Sequence, residues 1–212
     1  MKKRLLLLTI VLTAVALPGA ATAQQLFDYL GMALLPAAEG GSLTMYGIIR
    51  DGAPATTTPI PLDFANFEYT LVVTDLVLVT DAYPEVYANG TIAIYRDGMT
   101  LADYAASGSF YDGSIILSGV VTTLSVYHYS DLAPTLTGGY GTGLVDWTGG
   151  LNLADIAPED QDAWVFWTAT NSGSSLLEPG YDEVWDGKVE PESPVVSTEN
   201  LSWDAIKAMF EN

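Results

Sequence analysis

Residues 69–80, which read YTLVVTDLVLVT, are the stretch that decides the fold class. β-Branched side chains occur throughout this stretch and favour extended backbone. Both alternating faces are largely apolar in its second half. A strand that is covered on both sides, or that crosses between two sheets, has this pattern. The stretch therefore predicts a long strand inside a packed β-protein.

The rest of the chain repeats the strand signal between tight turns. Asp-Gly occurs four times and Asn-Gly once, and these pairs tolerate the positive φ of hairpin turns. They predict one hairpin over residues 86–95, around Asn89-Gly90, and another over residues 108–117. Gly119 predicts a bulge or bend in the strand that follows. Further strand-like segments occupy residues 42–50, 114–129 and 164–170.

These segments predict an all-β fold, because no helix of ordinary length is visible between residues 40 and 190. The segments amount to about seven to nine short strands with regular turn signals. This number favours a single antiparallel β-sandwich, Ig-like or jelly-roll-like. A closed β-barrel is the alternative. A short C-terminal helix completes the expected architecture.

The N-terminus predicts a secretory signal peptide over residues 1–23. Lys2, Lys3 and Arg4 precede an apolar run, which ends before the small-residue triplet at 21–23. The run is shorter than the roughly 20 apolar residues of a membrane span. We therefore expect a secreted, extracellular or cell-surface protein, with the periplasm as an alternative and no membrane insertion after removal of the signal. Export without cysteine fits a bacterial route.

Three further segments follow the signal peptide. Residues 24–189 carry the β-signals and form the expected domain, and residues 190–198 read as an extended linker with two prolines. Residues 199–212 predict a short amphipathic helix, with apolar side chains spaced along one face. Two alternatives stay open for residues 202–210: docking on the domain, or docking on an envelope partner.

Composition excludes several classes of function. The chain has 26 acidic and 7 basic residues and a net charge of −19, so nucleic-acid binding is not expected. It has no cysteine, which excludes thiolate chemistry and iron–sulfur clusters. Its one histidine, His128, is predicted to lie on a half-exposed strand face, and no Gly-x-Ser-x-Gly motif accompanies it.

Aromatic side chains crowd the last third of the chain. Exposed Trp and Tyr rings beside acidic groups suit the stacking and hydroxyl hydrogen bonds of a carbohydrate. Candidate ligand-binding residues are Trp147, Trp167, Tyr181 and Trp185. The leading hypothesis is a secreted, non-catalytic binding or structural module at the cell surface, whose partner is a glycan or an extracellular protein.

The alternative is a secreted, carboxylate-dependent polysaccharide hydrolase. Glycoside hydrolysis needs two carboxyl groups about 5–10 Å apart. Candidate acids are Glu178, Asp182, Glu183 and Asp186. Because many acids cluster by chance in so acidic a chain, the sequence favours a protein that is not an enzyme.

An acidic loop is the candidate metal site. Hard cations such as Ca²⁺ bind carboxylate and carbonyl oxygens, and a bound cation would relieve the charge repulsion of this chain. The candidate ligands are Asp155, Glu159, Asp160 and Asp162. We expect no required cofactor, with Ca²⁺ as the ion that this loop would accept.

Overall fold

The computed structural model describes residues 24–52, 56–98 and 100–192. Ten strands follow one another: β1 (Gln24–Gln25), β2 (Phe27–Leu34), β3 (Ser42–Arg50), β4 (Thr56–Thr57), β5 (Glu68–Thr80), β6 (Glu85–Asp97), β7 (Ser114–His128), β8 (Gly138–Gly149), β9 (Trp164–Asn171) and β10 (Glu183–Glu190). Short 3₁₀ segments occupy Tyr104–Phe110, Tyr129–Asp131, Leu153–Asp155 and Pro158–Asp160.

Eight of the strands form one closed antiparallel barrel, in the order β10-β2-β3-β5-β6-β7-β8-β9. The barrel closes where β10 pairs with β2, from Glu183 opposite Ala33 to Val189 opposite Phe27. The two remaining strands, β1 and β4, form a small parallel pair. The all-β antiparallel class is confirmed, and the barrel that was the alternative replaces the sandwich. Closure leaves the eight-stranded sheet without edge strands.

A kink at Asp75 explains why both faces of β5 are apolar. Asp75 has a φ of 56° inside the strand. Before it, the core side chains are Leu71 and Val73, and after it they are Leu76 and Leu78. The kink therefore switches which alternating set faces the interior, so one strand is apolar on both faces without crossing between sheets.

A matching kink in β6 overturns the predicted hairpin at Asn89-Gly90. Asn89 has a φ of 60°, yet β6 continues through it as a single strand. Gly90 lies so close to β5 that a Cβ there would be 2.7 Å from the Cβ of Leu76. Positive φ at Asn89 thus serves a kink within two paired strands, where the sequence suggested a turn.

The predicted hairpin over residues 108–117 is also wrong in its first strand. Residues 104–110 form a 3₁₀ segment, capped by the Asp103 carboxylate, and β7 begins only at Ser114. The bulge expected at Gly119 is confirmed, because the register of β7 against β8 shifts between Ser118 and Gly119.

Side chains fill the barrel, as expected for eight strands. At one end the Phe27 ring stacks on Trp164, with centroids 6.0 Å apart, and meets the edge of Trp147. Phe166 contacts both Tyr29 and Trp185 further along the interior. The opposite end of the interior is polar. A charged cluster of Glu85, His128 and Glu183 lies there.

The predicted linker lies mostly outside the described residues, and the signal peptide and the C-terminal helix lie wholly outside them. Within residues 24–52, 56–98 and 100–192, no helix has both the length and the apolar character needed to cross a membrane.

Candidate functional site

Trp167 is an exposed aromatic side chain on the outer wall of the barrel. Along β9 the side chains alternate, so that Trp164, Phe166 and Thr168 are buried while Trp167 is 39% exposed. Antiparallel pairing sets Trp167 opposite Lys188 of β10, and Lys188 opposite Asp28 of β2. One row across three strands therefore combines an aromatic ring, an amine and a carboxylate.

An open pocket of about 360 Å³ lies at this row. The small side chain of Ala169 leaves space between the larger side chains. The complete lining is Leu26, Asp28, Trp167, Ala169, Asp186, Gly187 and Lys188. The pocket thus has an aromatic wall and charged groups at its rim.

Ion pairs hold the charged side chains around this pocket. One guanidinium nitrogen of Arg50, Nη2, lies 2.9 Å from Oδ1 of Asp28 and 2.7 Å from Oδ1 of Asp186. Lys188 Nζ lies 2.7 Å from Oε1 of Glu190. Partial burial acts to lower the pKa of Arg50, but the hydrogen bonds to the two aspartates outweigh it and raise that pKa. Three carboxylates against two cations leave the site with a negative balance.

Two of the predicted ligand-binding aromatics lie inside the barrel. Trp147 is 1% exposed and Trp185 is fully buried, so neither offers a ring face to a ligand. The Trp185 indole donates its N–H to the buried Glu183 carboxylate at 3.0 Å. Both assignments therefore need correction, because strand alternation turns these rings toward the core.

Tyr181 lies on a different part of the outer wall from Trp167. Its hydroxyl donates to the carbonyl oxygen of Tyr104 at 3.0 Å, and its ring meets Tyr46 and Tyr104 edge-on. Tyr181 thus helps to hold the 3₁₀ segment 104–110 against the barrel. Of the four predicted aromatics, only Trp167 lies at the pocket.

The candidate hydrolase carboxylates are spread over both sides of the barrel wall. Glu183 faces the interior, whereas Asp186 lies outside and pairs with Arg50. Asp182 accepts the backbone N–H of Leu35, and Glu178 is exposed in the preceding loop. Joint attack on one glycosidic bond would require both carboxylates on the same side of the wall. Glu183 and Asp186 lie on opposite sides of it.

The candidate metal ligands lie in the loop between β8 and β9. Asp155 accepts a hydrogen bond from Asn152, and the Asp160 carbonyl accepts the indole N–H of Trp164. Asp155 and Asp160 line a pocket of about 500 Å³ together with Glu192. Among the described residues, no three His, Asp or Glu side chains form a group able to hold a metal ion.

A charged cluster at the polar end of the interior was missed by the sequence reasoning. His128 Nδ1 lies 3.1 Å from Oε1 of Glu183, and its Nε2 lies 3.3 Å from Oε2 of Glu85. The Tyr87 hydroxyl also donates to Glu85. His128 is 8% exposed, so the expected half-exposed face is wrong. Its place in the alternating series Leu124, Val126, His128 was the signal that could have placed it inside.

The electrostatics of this cluster indicate an ion triad. The close contacts with Glu183 and then with Glu85 outweigh desolvation and raise the pKa of His128 to about 10. The same contact with His128 lowers the pKa of Glu85. Because a general base works best with a pKa near the ambient pH, an imidazole that stays protonated at neutral pH is poorly suited to that role.

No protein-family model matches this chain, and neither does any curated protein or solved structure.

Proposed function

We propose that this protein is an exported, non-catalytic binding module whose outer-wall pocket at Trp167 takes a glycan. The main support for this proposal is the exposed Trp167 ring, which lies beside Asp28, Asp186 and Lys188 in one open pocket. A sugar ring presents an apolar face that stacks on an aromatic ring, and hydroxyl groups that hydrogen bond to carboxylates. The predicted signal peptide supports a place of action outside the cytoplasm, at the cell surface or beyond.

The ion pairs at the pocket support a role in binding. Arg50 holds both Asp28 and Asp186, so each carboxylate already accepts a charge-assisted hydrogen bond. A carboxylate held in this way is a positioned acceptor for a hydroxyl group.

The test is a binding screen of the purified protein against a panel of neutral, anionic and amino-sugar glycans. We expect at least one neutral glycan to bind, and Trp167→Ala to lose about 2 kcal/mol, or roughly thirtyfold in affinity. Leu144→Ala is the matched control, because Leu144 is 40% exposed on the outer wall but does not line the pocket. Its affinity should equal that of the wild type.

Two results would overturn the proposal. The first is silence across the panel together with tryptophan fluorescence that no sugar changes. The second is robust turnover in reducing-sugar assays that disappears in Glu178→Gln or Asp186→Asn, which would favour the hydrolase alternative.

A further inference from the structure

Four tyrosines form a second aromatic group on the outer wall, at the end of the barrel that holds the His128 cluster. The rings of Tyr127 and Tyr140 stack in parallel, with centroids 4.6 Å apart and planes 7° apart. Tyr83 meets the Tyr127 ring edge-on at 5.6 Å, and Tyr129 lies 6.3 Å from the Tyr140 ring. Tyr83 and Tyr129 are 45% and 39% exposed. We call this group the tyrosine row.

The tyrosine row continues the Trp167 pocket across the sheet. Tyr127 of β7 pairs with Tyr140 of β8, Tyr140 pairs with Ala169 of β9, and Ala169 pairs with Asp186 of β10. Ala169 and Asp186 both line the pocket. Four strands span three inter-strand spacings, or about 14 Å, so the combined surface is longer than a single sugar ring.

Alternation along the strands puts the four paired residues, Tyr127, Tyr140, Ala169 and Asp186, on the same face of the sheet. The next residue along each strand is buried in all four cases: these residues are His128, Gly139, Thr170 and Gly187. Residues next to buried positions in a strand point to the opposite face. Tyr127, Tyr140, Ala169 and Asp186 are therefore the outward-facing members of four consecutive strands.

The charge of this surface restricts what can lie on it. The two cations at the pocket, Arg50 and Lys188, are both paired with carboxylates. The whole chain carries a net charge of −19. A sulfated or uronic-acid chain would meet repulsion without a free cation in the pocket to offset it. Tyrosine offers a ring for stacking and a hydroxyl for hydrogen bonding, which suits an uncharged polyhydroxylated chain.

We propose that the Trp167 pocket and the tyrosine row form one extended site for a linear, uncharged polysaccharide chain. This inference rests on the proposed function, and it adds the length and the charge of the ligand. The chain end or one unit occupies the pocket, and the following units lie across β9, β8 and β7 toward Tyr83.

The test is calorimetric titration of the purified protein with a length series of the neutral glycan found in the screen, from one to six units. For the wild type we expect affinity to rise at least about tenfold from the shortest to the longest binder and then to level off. Tyr140→Leu and Tyr83→Ala should remove most of this gain while leaving the affinity for the shortest binder unchanged. Trp167→Ala should weaken every length. Tyr111→Ala is the matched control, because Tyr111 is 49% exposed but contacts Tyr46 on another part of the wall.

The outcomes separate this inference from the proposed function. Binding that is independent of chain length, or equal in wild type and Tyr83→Ala, overturns the extended site and leaves the Trp167 pocket in place. No binding of any glycan overturns both. Tighter binding of a sulfated or carboxylated chain than of its neutral counterpart overturns the charge argument. A wild-type dimer that Tyr140→Leu dissociates would show that a second copy covers the row, and would also overturn the inference.

Discussion

The imidazole Nδ1 of His128 lies 3.1 Å from Oε1 of Glu183, inside one end of a closed barrel. The second imidazole nitrogen faces Glu85 at 3.3 Å. The side chains of His128 and Glu183 are 11% and 5% exposed, so water screens this pair only weakly. The strands that supply the three residues, β6, β7 and β10, are thereby joined by charge across the barrel interior.

Stability should depend on the protonation of His128. The pKa of His128 is raised to about 10 in the folded state, against about 6.5 in the unfolded chain. Its stabilising contribution is therefore complete below pH 6.5 and is lost as the pH rises toward 10. At pH 7 we expect His128→Gln to lower the free energy of unfolding by about 3 kcal/mol, because the buried carboxylate of Glu183 and the partly buried carboxylate of Glu85 lose their partner. Urea titrations of both proteins measure this difference.

The difference between wild type and His128→Gln should shrink steadily as the pH rises from 7 to 10. Burial also raises the pKa of Tyr29 and Tyr87, and their ionisation in the unfolded state lowers stability at high pH. Tyr87 shares Glu85 with His128, so the comparison is made in a Tyr87→Phe background, where the effect of Tyr29 is common to both proteins. A difference that stays constant over this pH range would contradict the protonated assignment.

Gly119 should tolerate no side chain. A Cβ at this position would lie 2.2 Å from the carbonyl oxygen of Asp146 on β8, and backbone cannot move aside there without opening the sheet. We expect Gly119→Ala to destabilise the protein by about 1–3 kcal/mol. Gly108→Ala is the control, because its nearest neighbour would be 3.9 Å away, and its effect should stay within about 0.5 kcal/mol. Equal effects in the two variants would refute the close approach of β7 and β8.

Trp167 should dominate quenching of the tryptophan fluorescence. Trp147, Trp164 and Trp185 are at most 1% exposed, whereas Trp167 is 39% exposed. The neutral quencher acrylamide is preferred, because the net charge of −19 repels iodide. Trp203 lies outside the described residues, so the measurement uses a Trp203→Phe background. There, Trp167→Phe should remove most of the quenching, and an unchanged quenching constant would place Trp167 in the interior.

The predicted calcium site in the loop between β8 and β9 implies that calcium raises the melting temperature. Asp155 and Asp160 share one pocket with Glu192, and a cation there would reduce the repulsion between the carboxylates. By mass action, a site filled at 100 times its dissociation constant adds about 2.7 kcal/mol. The double variant Asp155→Asn, Asp160→Asn should abolish the shift, while Asp131→Asn, in another loop, should retain it. Identical melting curves in calcium and in chelator would remove the site.

Local alternation made part of the fold predictable. Residues 42–50 were expected to form a strand, and β3 has these same bounds, because its side chains alternate between buried and partly exposed. The same rule was available for Trp167 and His128. Trp147 and Trp185 follow the same rule, because polar side chains, Asp146, Thr148, Asp186 and Lys188, lie on the opposite faces of their strands.

Turn-forming pairs were less reliable than alternation. Asn89-Gly90 supplies positive φ, which both a hairpin turn and a kink within a strand require. The pairing of β6 with β5 on one side and β7 on the other holds the chain extended through this pair. The local sequence therefore encoded the unusual backbone angle, and the neighbouring strands decided its use.

The sequence by itself determined the strand content, the acidic composition and the absence of thiol chemistry, because these depend on composition and on short-range periodicity. Only the tertiary structure decided that β2 and β10, more than 140 residues apart between Ala33 and Glu183, close the sheet into a barrel. Closure depends on the summed twist and register of all eight strands, which no single segment carries. It also places Trp167 outside and the Glu85–His128–Glu183 cluster inside, and so decides which side chains a ligand can reach.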